Sequence, residues 1–139
     1  MAIYPFLTFN GNCREAMRFY QSCFGGELHF TYLGDTPDGK LFPLEIRQLV
    51  LHARLESEHV RLFASDLGDE EGVASGNSIS LWISIAAPRQ LKSVFQKLAR
   101  EGEITAPLSP SILKGQWATL TDRYAVQWIF SAASGTGNE

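Results

Sequence analysis

Several things are scarce in this sequence, and each shortage excludes a class of protein. Only 2 of its 139 residues are cysteine, too few for a disulfide-stapled secreted domain. Cys13 and Cys23 fall on one predicted helix, about 15 Å apart along its axis and beyond the reach of a disulfide. No apolar run approaches the roughly 18 residues of a membrane span. The start, MAIYPFLTFNGN, has neither a basic leader region nor a long apolar one. Free thiols without an export signal point to the cytoplasm and away from membranes.

Positive charge is also limited. Lys and Arg number 12 against 15 Asp and Glu, a net charge of -3, and only Lys92, Lys97 and Arg100 group together. No nucleic-acid partner is expected, because backbone affinity comes largely from neutralised phosphates. The 3 histidines, His29, His52 and His59, show no HxH or HxxxH spacing, so no all-protein metal site is expected. P-loop, strand-GxGxxG and GxSxG patterns are absent, and the reading calls for no cofactor.

What is present is a core-forming composition, 45% hydrophobic, enough for one domain spanning residues 1–139. IYPFLTF at 3–9 reads as a strand with Pro5 near its edge. Asn12 reads as a helix cap with Glu15 completing a capping box. Ala16, Phe19, Tyr20 and Cys23 then form an apolar stripe, and Gly25-Gly26 ends the helix. Strands follow at 27–33, 45–56 and 59–65, with a turn-rich stretch at 35–40. The acidic, glycine-bearing segment 66–77 is the best linker.

The second half repeats the plan. Residues 78–85 read as a strand, and Pro88 opens a helix with Leu91, Val94, Phe95 and Leu98 on one face. Gly102 closes it, and strands follow near 103–106, 115–121 and 126–131. The tail at 134–139 reads as frayed. Phe19 matches Phe95 and Gly25 matches Gly102 at an offset of about 76 residues, a self-similarity of two strand-helix-three-strand halves. The expected class is α+β, with helices covering one side of curved, mixed, mostly antiparallel sheets. Module one then spans about 3–65 and module two about 78–131, and laying their uncovered faces together leaves a groove for a small molecule.

His52 alternates with the leucines of its strand and points to the opposite side unless a bulge intervenes. It can serve as a cavity base or a metal ligand, or equally be an ordinary strand histidine. Arg54 could hold an anionic group, whereas Arg123 more naturally braces the turn at 122–125. Phe63, Trp82, Trp117, Tyr124 and Trp128 could line an apolar cavity with occasional polar handles; alternation would pack some of them under the helices instead. Trp117, beside Gly115-Gln116, is favoured for the rim. Cys13 sits in a first helical turn that can lower a thiol pKa, but no partnering histidine is specified.

NGNCREAMRFY at 10–20, FGGE at 24–27, LHARLE at 51–56, FASD at 63–66 and LTDRYAVQW at 120–128 resemble one protein group. It is the alkylphosphonate-associated (PhnB-like) branch of the glyoxalase/bleomycin-resistance/dioxygenase (vicinal oxygen chelate) superfamily, and the resemblance covers nearly the whole chain. It implies paired βαβββ modules and a homodimer. Members include metal-dependent lyases, isomerases and ring-opening dioxygenases, and also antibiotic-binding proteins that need no chemistry. A demethylubiquinone methyltransferase label occurs in this branch, but no methyl-donor-binding segment is recognisable here.

The metal-dependent members place ligands on the first and last strands of each module. The matching positions here hold Pro5, Thr8, Phe63, Ser65, Asp66, Ser80 and Ile129, without the usual His and Glu set. The glycine common in the DRFG-type turn is Ala125. The leading expectation is a small-molecule-binding protein with no identified reaction. The alternatives are a divalent-metal-dependent lyase, isomerase or dioxygenase, and a non-catalytic structural or regulatory dimer.

Overall fold

The computed structural model describes residues 1–68, 71–109, 112 and 117–132. Two compact units follow one another, Met1–Ala74 and Ser75–Glu139. The expectations placed on residues 134–139, Gly115 and Gln116 fall outside the described residues.

The first unit runs β1 (Phe6–Thr8), α1 (Cys13–Phe24), β2 (Glu27–Tyr32), α2 (Leu44–Arg47), β3 (Val50–Glu56) and β4 (Arg61–Ser65). Its sheet has the order β1-β4-β3-β2, with β1 parallel to β4 and the other pairs antiparallel. Strand β1 is shorter than the expected 3–9 stretch because Pro5 has no N–H for a ladder; its carbonyl still accepts from the Phe63 N–H at 3.2 Å. The turn-rich stretch contains two single 3-10 turns, Leu33–Asp35 and Gly39–Leu41. The expected extended segment from 45 begins instead with α2, whose first turn closes when the Pro43 carbonyl accepts from the Ile46 and Arg47 N–H groups.

Helix α1 buries Cys13, Ala16, Met17, Tyr20 and Cys23, one stripe at three- and four-residue steps. Its N-terminus departs from the capping-box expectation, since Asn12 makes no side-chain cap. Asp66, at the end of β4, takes that role from afar. One carboxylate oxygen accepts from the Gly11 N–H at 3.0 Å and the Cys13 N–H at 2.9 Å, and the other from the Val50 N–H at 2.9 Å. A buried carboxylate thus ties helix start, β3 start and β4 end into one joint.

The second unit runs β5 (Leu81–Ile85), α3 (Pro88–Leu98), β6 (Glu103–Ala106), β7 (Ala118–Thr121) and β8 (Gln127–Ala132), in the sheet order β5-β8-β7-β6. The strand order repeats that of the first unit, and the registers correspond. Phe6 pairs with Phe63 and Thr8 with Ser65, as Trp82 pairs with Ile129 and Ser84 with Ser131. Burial aligns Ala16, Tyr20 and Cys23 with Leu91, Phe95 and Leu98, so Tyr20 rather than Phe19 is the counterpart of Phe95. Among the glycines, Gly26 and Gly102 share one role. A Cβ on either would lie 2.5 Å from a carbonyl oxygen, that of Glu56 or that of Thr121.

The α+β class and βαβββ order agree with the sequence reading; the curved sheets it expected do not. The strands form two separate, open four-stranded sheets, one ending at β1 and β2 and the other at β5 and β6. Neither closes on itself. Closure needs strands staggered and paired around the full circle, and here β1 and β2 pair only with β4 and β3.

Candidate functional site

Period-two alternation sends Ala53, Leu55, Leu62 and Ala64 under α1. Their neighbours project from the far face of the first sheet. One cross-strand row there is Phe6, Phe63, Arg54 and His29, and the next places His52 opposite Thr31. A register shift lies beside it: Thr31 pairs with His52 but Tyr32 with Val50, leaving Leu51 as the extra residue of a bulge. The bulge turns Val50 into the core and leaves His52 exposed on the far face.

The rings of His52 and Phe63 lie 5.6 Å apart, and those of Tyr4 and Phe63 5.5 Å apart. The Arg61 guanidinium stands 5.3 Å from the Tyr4 ring centre and donates to the Tyr4 hydroxyl at 2.8 Å. Glu56 joins the two arginines, 3.0 Å from Arg54 and 3.8 Å from Arg61. The result is an aromatic surface edged by two cations and one anion, suited to a planar group carrying negative charge.

On the far face of the second sheet, Trp82 is 61% exposed and donates its indole N–H to the Ser131 hydroxyl at 2.6 Å. Trp117 is 60% exposed directly before β7. Ala53 pairs with Ala64 as Ala118 pairs with Phe130, so Trp117 is the counterpart of His52. Two further candidates do not join these faces. Trp128 is 3% exposed, on the helix side with Phe130, and its indole N–H donates to Asp122 at 2.8 Å. Tyr124 belongs to the turn between β7 and β8, where its backbone N–H donates to Asp122. Arg123, in the same turn, reaches the segment after α3, donating to the Arg100 carbonyl at 3.2 Å and pairing with Glu101 at 2.8 Å.

Tyr4, Phe6 and Arg61 were not singled out from the sequence. Alternation in IYPFLTF was the available signal for Tyr4 and Phe6, but their contact with Phe63 depends on the parallel β1-β4 pairing, which no local pattern specifies.

The positions at which the resemblance implies metal ligands do not suit a cation. Pro5, Thr8, Phe63, Ser65, Ser80 and Ile129 offer no carboxylate or imidazole. The Asp66 oxygens already accept three backbone N–H groups. Among the described residues, no three His, Cys, Asp or Glu side chains converge as a ligand set. Cys13 is equally unsuited to attack: burial first, and the neighbouring Asp66 charge second, push its thiol up to about 12, the reverse of an activated cysteine. Both cysteines are buried, and neither is in a disulfide.

Two α+β units of βαβββ order, with helices on one side and polar-aromatic far faces, define a glyoxalase/bleomycin-resistance-type protein. Residues 1–130 match the family described as 3-demethylubiquinone-9 3-methyltransferase, and the chain belongs to that family, within the PhnB-like branch of this superfamily. It is similar to the protein PA1353 of Pseudomonas aeruginosa, with 30% identity, a TM-score of 0.80, and 95% of this chain and 97% of that one covered. The PhnB protein of Bacillus cereus follows with 26% identity, a TM-score of 0.73, and 96% and 100% covered. Protein YjdN of Escherichia coli strain K12 is 24% identical over 147 residues, 94% of this chain and 95% of that protein. The chain is thus a glyoxalase-like, small-molecule-binding member of its superfamily. No helix among the described residues is long and apolar enough to cross a membrane.

Proposed function

We propose that this protein binds a planar small molecule bearing a negative group against the far face of its first sheet, without a resident metal. The observation that carries the reading is the cluster of Tyr4, His52 and Phe63 rings beside Arg54 and Arg61. Stacking supplies area at little entropic cost, and the arginines supply orientation. Trp82 and Trp117 offer comparable aromatic surface on the second sheet. The protein acts as a homodimer in the cytoplasm, a reading in keeping with buried cysteines that form no disulfide.

A thermal-shift panel of planar acids and their neutral analogues tests this. The acids should raise the Tm of the native protein, and Phe63→Ala should weaken their binding by about tenfold, the loss of one stacked ring. A protein shifted only by divalent cations, with turnover of a substrate following, would overturn it. Light scattering at tens of micromolar tests the dimer, which a mass matching the 15.4 kDa chain would refute.

A further inference from the structure

The helix side of the second unit carries a groove. Its volume is about 430 Å³, and it runs between α3 and β6, within the range of small-ligand sites. Phe95, Ala99, Ile104 and Leu108 give it an apolar lining, while Lys92 and Arg100 stand along it. Ile104 pairs with the buried Leu120 and so faces the helix side, yet it remains 51% exposed. An apolar side chain on the covered side of a sheet is normally roofed; this one is not.

The internal repeat explains why. With Tyr20 matched to Phe95, Met17 stands where α3 has Lys92, and Phe24 stands where the chain has Ala99. Leu28, paired with Leu55, stands where β6 has Ile104. In the first unit Met17 is fully buried, and the Phe24 ring stacks on Tyr20 at 6.4 Å with the planes 23° apart. Replacing a phenylalanine by alanine removes that ring, and replacing a methionine by lysine swaps a filler for a cation. The space that one unit fills with its own aromatic ring is left open in the other and edged with positive charge. Among the described residues, neither Lys92 nor Arg100 has a carboxylate within ion-pair distance.

We infer that the α3-β6 groove is a second ligand site, taking a small aromatic carboxylate whose ring lies where Phe24 lies in the first unit and whose carboxylate meets Lys92 and Arg100. The site is separate from the far face and does not depend on the function proposed there. Charge complementarity favours an anion, because Lys92 and Arg100, with no carboxylate partner among the described residues, bond a charged acceptor more strongly than a neutral one, while Gln96 adds a neutral polar group to the same lining.

The test is calorimetric titration of the full-length protein with 2-naphthoate and its neutral amide. The acid should bind the native protein about tenfold more tightly than the amide, a difference that rising salt shrinks. Planar acids also meet the far face, so the groove is read as the binding component that survives in Phe63→Ala protein. In that background the acid should still bind more tightly than the amide, and adding Lys92→Met with Arg100→Gln should make the two equal. Ala99→Phe in the same background, which restores the first-unit filler, should abolish the component while keeping or raising Tm. A component undiminished by Ala99→Phe, none left in Phe63→Ala, or no heat up to millimolar acid would each overturn the site. A change of oligomeric state in Ala99→Phe would also overturn it, by showing that a protein surface fills the groove.

Discussion

Asp66 shows how a residue that reads as chemistry can be architecture. Its carboxylate accepts the Gly11, Cys13 and Val50 N–H groups, as Asp122 accepts those of Tyr124 and Val126 and the Trp128 indole. Asp66→Ala would leave three donors unsatisfied, two of them in buried bonds, and should cost about 2–4 kcal/mol in urea unfolding. Cys13 gives a pH prediction. The folded thiol is pushed up to about 12 from 9.0, so above pH 9 the unfolded state loses a proton that the folded state keeps. Stability is therefore unaffected by this group below pH 9 and falls between pH 9 and 12, by at most about 1.4 kcal/mol per pH unit. Cys13→Ala should flatten that slope in denaturant titrations, and a thiol reagent at pH 8 should label neither native cysteine. Ala125 holds φ at 68°, in the region that penalises any Cβ. Ala125→Gly should raise stability by about 0.5–1 kcal/mol, the relieved strain less the added unfolded-state entropy.

At the scale of elements, Gly26 and Gly102 are the joints of each unit, where the chain leaving a helix crosses the end of the third strand. A methyl group at either would press on a backbone carbonyl at 2.5 Å. Gly26→Ala and Gly102→Ala should each cost about 2–3 kcal/mol by overpacking, seen as a fall in Tm. Gly76→Ala, with nothing within 4 Å of the added carbon, should be neutral. Both helices were legible in the sequence because their apolar stripes and closing glycines are local signals. The start of β3 was less so. LEIR carries no strand-breaking residue of its own; Pro43 before it and the Arg47 side chain bonding the Phe42 carbonyl at 2.7 Å turn it into α2. The cap of α1 was misread for a related reason, since Asn12 satisfies the local pattern while the carboxylate that caps the helix comes from Asp66.

Across the whole molecule, the tryptophans mark which aromatic surface is available to a ligand. Trp82 and Trp117 are open and Trp128 is closed. Acrylamide should quench two indoles readily and one poorly; equal quenching of all three would contradict this burial pattern. The candidate site was only partly readable. His52, Arg54 and Phe63 do share a face, because two strands that pair in register keep alternate residues on one side. Trp128 failed as a candidate because alternation identifies two faces without saying which one a helix will cover.

Composition, periodicity and the internal repeat are properties of neighbouring residues, and they sufficed for the α+β class, the two matching halves and the buried stripes of α1 and α3. Tertiary structure decided what distant residues do to one another. It spent the Asp66 oxygens on backbone N–H groups, inserted the bulge that buries Val50 beside an exposed His52, and left Ala99 and Lys92 around a groove. Those outcomes depend on long-range pairings, whose partners lie tens of residues apart and leave no periodic trace in the chain.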